Sequence, residues 1–264
     1  MPFVAAEVQG GLAAVLLGAD SVALDAARAG TSGASALHPL RIPMAQGQAE
    51  TRAHTRRLRC RMNALDLLLA ASAIALALAL RPWRAQTTLP WPALACWAAM
   101  PLLWSMDATT RMPFVQPLSG ACLLVLMLGW PLTVLLLVPA ALLMSALADL
   151  SLQDALHRGV WLALVPATLA MGLGAALRRW LPNHLFVYIL GRGFFTTTLS
   201  LTGAGALSVW LHGVPVQLSA DDVMLARGLT ASGEAFITGM LCAIFVAFRP
   251  EWLATYTDRL YLPR

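Results

Sequence analysis

Residues 117–148 read PLSGACLLVLMLGWPLTVLLLVPAALLMSALA, a run of 32 residues without one charged side chain. A single helix of this length would be about 48 Å long at 1.5 Å per residue, well beyond the ~30 Å apolar core of a bilayer. Gly129, Trp130 and Pro131 stand in the middle of the run, and glycine and proline often interrupt helices. We therefore predict a helix break at these three residues, between one helix over Pro117–Leu128 and another over Pro131–Ala148.

Five further apolar segments flank this run, which makes seven predicted membrane helices in an all-α bundle. If residues 117–148 form one tilted helix instead, the count is six. The five segments are Ala64–Leu80, Leu89–Met106, Gly159–Leu177, Leu185–Leu211 and Leu229–Phe248.

The composition of the whole chain agrees with a membrane protein. Of its 264 residues, 59 % are hydrophobic and 12 % are charged, against about 45–50 % and about 25 % in soluble domains. So few charges cannot cover the surface of a soluble protein. This excludes a soluble enzyme, a disordered chain and a nucleic-acid-binding domain, and it makes the lipid bilayer the main partner.

Residues 1–61 differ from the rest, so we divide the chain into an N-terminal extension, 1–61, and a transmembrane helical domain, 62–264. The stretch 10–29 carries Asp20, Asp25 and Arg28 and is too polar to span a bilayer. The extension is either flexible or the product of a start codon assigned too early, in which case Met62 is the true start. A basic tail that contacts anionic lipid is the functional alternative.

The 18 basic side chains are all arginines, and their distribution predicts the orientation. With seven spans, most arginines after residue 62 share one side, which positive-inside bias makes cytoplasmic. The loop at 178–183 is then cytoplasmic, and the loop at 213–228 faces the other side. A bacterial-type cell inner membrane is the expected location.

Two ionisable residues stand out within predicted spans, where a charge costs a few kcal/mol unless it is paired or hydrated. Arg192 lies in ILGRGFF, and Glu234 lies in ASGEAFITGM. Because their helices are consecutive and antiparallel, the two side chains are expected either to form a structural ion pair or to line a substrate path.

Other polar residues within or beside the spans give weaker signals. The hydroxyls of Thr196–Thr198 are expected to bond to carbonyls of their own helix. His157, His184 and His212 each stand at the end of a span, and none of them alone indicates a metal site.

The sequence contains no HExxH, GxSxG or P-loop pattern. We therefore expect no enzymatic activity and no cofactor. Any ATP-driven role would need a separate ATPase.

Three segments, in this order, carry a resemblance to a known family: LMLGWP at 126–131, LPNHLFVY at 181–188 and GEAFITGMLCAIFVAFRPEWL at 233–253. Together they resemble the integral membrane substrate-capture subunits of cobalt/nickel energy-coupling-factor transporters, in particular a shorter, less characterised branch. The resemblance covers roughly residues 62–262. It implies a seven-helix permease that works with a membrane scaffold protein and ATPases.

The metal ligands of that family are not matched here. In its characterised members, the N-terminal amine, the following histidine and a histidine before the glycine-proline turn hold the ion. This chain starts with Met1-Pro2, or with Met62-Asn63, and it has Pro117 beside Gln116 where the other histidine would fall. The metal ligands, if any, stay unknown at this point.

The function predicted from the sequence is a permease-like subunit of a multi-subunit importer, for a transition-metal ion such as cobalt or nickel or for a small organic molecule. The alternative is a non-transporting membrane anchor or assembly partner of another complex.

Overall fold

A computed structural model describes residues 63–84, 90–110, 116–182, 184–214, 219–257 and Tyr261. The predicted N-terminal extension, 1–61, lies outside these residues.

The described part of the chain forms seven helices and no strand, which confirms the predicted all-α architecture. Four of them, α4 to α7, are long and apolar enough to cross a membrane. The part of the chain that the structure describes is therefore all-helical, and its four long apolar helices are those of a multi-pass membrane protein. The helices are α1 (Asn63–Ala79), α2 (Trp91–Thr110), α3 (Ala121–Leu128), α4 (Trp130–Leu147), α5 (Leu152–Trp180), α6 (Val187–His212) and α7 (Ala220–Phe248).

The long run at 117–148 forms two helices rather than one. Helix α3 ends at Leu128, α4 begins at Trp130, and Gly129 between them has φ 79° and ψ 161°. That conformation is essentially confined to glycine, and Pro131 has no N–H to continue the hydrogen-bond ladder of α3. With 8 residues, α3 is about 12 Å long and cannot cross a bilayer alone.

Two helices start earlier than their apolar segments predicted. Helix α7 begins at Ala220 rather than Leu229 because the Ser219 hydroxyl accepts the N–H of Asp222 at 3.0 Å and caps the helix. Ser151 caps α5 in the same way, through the N–H of Asp154 at 3.2 Å. The polar first turns of both helices therefore extend beyond the apolar runs.

The short helix α3 lies in the centre of the bundle. All of its residues are buried, and α2, α4, α5 and α7 pack around it. Helices α6 and α7 pack closely where Gly193 meets Gly239, since a Cβ on Gly193 would lie 3.1 Å from the Gly239 Cα. Small residues at such a crossing allow two membrane helices to approach closely.

Two membrane helices contain π-helical segments, Val160–Leu164 in α5 and Val187–Phe195 in α6. A π segment widens the helix by one residue and shifts the side chains that follow it, and such segments are frequent at functional sites. One segment lies beside His157 and the other contains Arg192.

Candidate functional site

Glu234 is part of α7, and its side chain reaches the N-terminal end of α3, which is more than 100 residues away in the chain. Its side chain is 5 % exposed. Its carboxylate accepts the backbone N–H of Ser119 at 2.5 Å and that of Gly120 at 2.8 Å. Because the first amides of a helix have no partner within it, and the helix dipole is positive there, a carboxylate is well placed at this end.

The C-terminal end of α3 is held by the segment that follows α7. The carbonyl of Met127 accepts the N–H of Ala254 at 3.1 Å. The carbonyl of Leu126 accepts both the N–H of Thr255, at 3.3 Å, and its hydroxyl, at 3.0 Å. Helix α7 and its C-terminal extension thus satisfy backbone groups at both ends of α3.

The ion pair that the sequence offered for Arg192 and Glu234 is not formed. No oxygen of Glu234 lies within 4.0 Å of the Arg192 guanidinium, the limit for a salt bridge. The Glu234 carboxylate is turned instead to the N-terminus of α3. Arg192 is 9 % exposed and lies over the ring of Tyr188, with 5.8 Å between its Cζ and the ring centre. Its Nη1 donates to the Thr255 carbonyl at the long distance of 3.5 Å.

The three consecutive threonines have the structural role that was expected of them. The hydroxyls of Thr196, Thr197 and Thr198 donate to carbonyls one turn earlier in the same helix, at 2.8, 2.8 and 3.1 Å. These bonds within the helix account for the three hydroxyls, and no ligand is needed to explain them.

A second cluster joins three helices through Asp66 of α1, His157 of α5 and His212 of α6. The Asp66 side chain is 2 % exposed. It accepts a hydrogen bond from the Nε1–H of Trp161 at 2.8 Å and contacts His157 Nδ1 at 2.7 Å. The rings of His157 and His212 meet edge to face, with 4.8 Å between their centres. We call these three residues the Asp-His-His cluster.

The hydrogen bonds of the cluster assign the free nitrogen of His212. Its Nδ1 lies 3.0 Å from the Ser208 carbonyl, which can only accept, so Nδ1 carries the proton. The Nε2 of a neutral ring is then an acceptor, and it is buried without a hydrogen-bond partner. By the same reasoning, the Nδ1–H of His157 donates to the Asp66 carboxylate, so the Nε2 of that ring carries the lone pair.

This arrangement has the chemistry of a transition-metal site. One ligand atom from each of the three residues lies within 4.8 Å of the others. An ion about 2.1 Å from each ligand needs separations of about 3.0–4.2 Å, so small side-chain rotations suffice. Imidazole suits nickel, copper, iron and zinc, and a histidine held by a carboxylate is a common metal ligand.

The sequence indicated the parts of this cluster but not their meeting. The sequence indicates His157 and His212 separately, at the ends of two predicted spans, and the predictions do not include Asp66. Asp66 is the sole acidic residue in the first apolar segment, which is the signal that could have identified it. His184 lies elsewhere, exposed, and its Nδ1 accepts the N–H of Phe186 at 3.3 Å.

Comparison of the chain with protein-family models, with curated proteins and with solved structures gave no match. The resemblance to cobalt/nickel transporter subunits therefore stays a prediction.

Proposed function

We propose that this protein is a permease-like membrane subunit that captures a divalent transition-metal ion, such as Ni²⁺ or Co²⁺, at the Asp-His-His cluster. The observation that carries the proposal is the buried, unpartnered Nε2 of His212 beside His157 and Asp66. Two imidazoles with a carboxylate are a donor set for such ions, whereas Mg²⁺ prefers oxygen ligands alone.

The position of the cluster suits the first step of import. His157 and Arg178 lie near opposite ends of α5, 21 residues apart, which corresponds to about 32 Å along a helix. If the arginine end is cytoplasmic, as positive-inside bias predicts, the cluster is at the opposite face. An importer would meet its substrate at that face.

The surroundings of α3 also favour a cation as substrate. Half-helix N-termini in transporters often bind anionic substrate groups. Here the Glu234 carboxylate already occupies the N-terminus of α3. That end is therefore not free for an anion.

Transport would require further subunits. The sequence has no P-loop and no lysine, so energy from ATP must come from separate ATPases, joined through a membrane scaffold subunit. We place the assembly in the cell inner membrane, and we assign the chain no enzymatic activity.

Metal titration of the purified protein tests the proposal. Wild type should bind Co²⁺ or Ni²⁺ saturably and Mg²⁺ not at all, by calorimetry and by the visible spectrum of Co²⁺. His212→Ala, His157→Ala and Asp66→Asn should each weaken Co²⁺ binding by about tenfold to 100-fold or more. His184→Ala is the matched control, because this histidine lies outside the cluster, and it should bind Co²⁺ like wild type.

Two results would count against the proposal. Absence of saturable binding in wild type, or equal losses in His212→Ala and His184→Ala, would remove the metal site. Intact binding without metal uptake by cells that also express the ATPase and scaffold genes would favour the non-transporting alternative.

A further inference from the structure

The C-terminal end of α5 and the start of α6 line a small cavity, together with two residues that each carry a buried hydrogen-bond donor. The cavity has a volume of about 10 Å³, enough for about one water-sized group. We call it the arginine cavity. Its lining residues are Leu177, Arg178, Leu181, Pro182, Val187, Tyr188, Arg192 and Tyr261.

Both donors lack a partner. The Nε of Arg192 and the hydroxyl oxygen of Tyr261 are buried and make no hydrogen bond. The two residues are 9 % and 3 % exposed. Among the described residues, no carboxylate lies within 4.0 Å of the Arg192 guanidinium to form a salt bridge. A buried guanidinium and a phenol that meet in one cavity call for an acceptor oxygen, and the unbalanced charge favours an anionic one.

An apolar groove adjoins the arginine cavity and shares Leu177, Leu181 and Val187 with it. Its volume is about 340 Å³. Phe186 and Phe195, which also line the groove, are 65 % and 55 % exposed, as expected for side chains that face lipid. Together, the cavity and the groove form an elongated site that is cationic at the cavity end and apolar along the groove.

The location matches the membrane interface. Arg178 and Arg179 are exposed in the last turn of α5, and Trp180 beside them is 80 % exposed. Tryptophan and arginine at a helix end are typical of the headgroup region, and anionic lipids attract basic residues at the cytoplasmic surface.

We propose that the arginine cavity and the apolar groove form a binding site for one anionic phospholipid. A phosphate oxygen accepts from the Arg192 guanidinium and from the Tyr261 hydroxyl, Arg178 contacts the headgroup at the mouth of the cavity, and an acyl chain lies in the groove. Free phosphate offers the same oxygens but leaves the groove unused. The site is remote from the Asp-His-His cluster and does not depend on metal capture.

Native mass spectrometry of the full chain in detergent tests the site, with phosphatidylglycerol and phosphatidylcholine of identical acyl chains as probes. Wild type should bind phosphatidylglycerol about tenfold or more tightly than phosphatidylcholine, as expected for a charged hydrogen-bond pair. Arg192→Gln should abolish this preference. Arg227→Gln is the matched control, because Arg227 likewise donates to a backbone carbonyl and has a buried, unpartnered Nε, but it does not line the arginine cavity, so it should keep the preference.

Three results would overturn the proposal. They are equal binding of the two lipids by wild type, equal losses in Arg192→Gln and Arg227→Gln, and binding of inorganic phosphate that displaces phosphatidylglycerol. If Arg192→Gln does not fold, two milder variants test the site instead. Tyr261→Phe removes only a hydroxyl, and Arg178→Gln changes an exposed position. Both should reduce the preference for phosphatidylglycerol, and an unchanged preference in both would refute the site.

Discussion

Replacement of Glu234 is the most direct test of how the centre of the bundle is held together. The Glu234 carboxylate accepts two backbone N–H groups at the start of α3 and has no other partner among the described residues. In Glu234→Ala, both amides lose their acceptor inside the protein. In Glu234→Gln, the amide oxygen still accepts one N–H, while its NH₂ group faces the other.

The expected losses follow from the number of bonds removed. A hydrogen bond to a charged group contributes about 1.5–3 kcal/mol. Glu234→Ala, which removes two, should therefore reduce stability by about 3–6 kcal/mol, and Glu234→Gln by about half of that. Glu251→Gln is the control, because Glu251 forms only an exposed pair with Arg249 at 3.3 Å, and such pairs contribute about 0–1 kcal/mol.

Thermal unfolding in detergent, followed by near-UV circular dichroism, measures the series. The expected order of Tm is wild type and Glu251→Gln first, then Glu234→Gln, then Glu234→Ala. If Glu234→Ala unfolds at the same temperature as Glu251→Gln, the carboxylate does not hold α3 and the reasoning is refuted.

Three further predictions concern the break at Gly129, the pair of Arg192 and Glu234, and the orientation in the membrane. Gly129→Ala should lower stability by about 1–3 kcal/mol, because alanine is strained at the φ of 79° found there; an unchanged Tm would contradict this. Arg192→Gln and Glu234→Gln should have additive effects in a double-mutant cycle, because the residues have separate partners, and a coupling above about 1 kcal/mol would restore the ion pair. Reporter fusions at Pro182 and Asp221 should report opposite compartments, with Pro182 cytoplasmic, and matching compartments would refute the orientation.

The sequence predicted those features that depend on local chemistry. Gly129 and Pro131 are two residues apart, so the break between α3 and α4 can be predicted from the short segment LMLGWP alone. The early start of α7 is equally local, since Ser219 and Asp222 are three residues apart, but the polar first turn that they begin lies outside the apolar run used to predict the helix.

Features that depend on distant contacts were missed for a physical reason. The partner of Glu234 is a pair of backbone amides, which no residue type reveals, whereas the sequence offers Arg192 as a side-chain partner. Asp66 and His157 are 91 residues apart in the chain, and His212 lies on a third helix. Only the packing of α1 against α5 and α6 brings the three side chains together.

The three segments that carry the family resemblance all lie at or near the short helix α3. LMLGWP supplies the C-terminal end of α3, the 233–253 segment supplies Glu234 at its other end, and LPNHLFVY supplies Tyr188, whose hydroxyl lies 2.8 Å from that of Thr255. All three therefore build or support one short buried helix. None contains a member of the Asp-His-His cluster. The resemblance consequently concerns how α3 is held, and it does not extend to the residues of the cluster. If the protein captures an ion as proposed, Asp66, His157 and His212 would supply the donor atoms and would therefore determine which ion is bound.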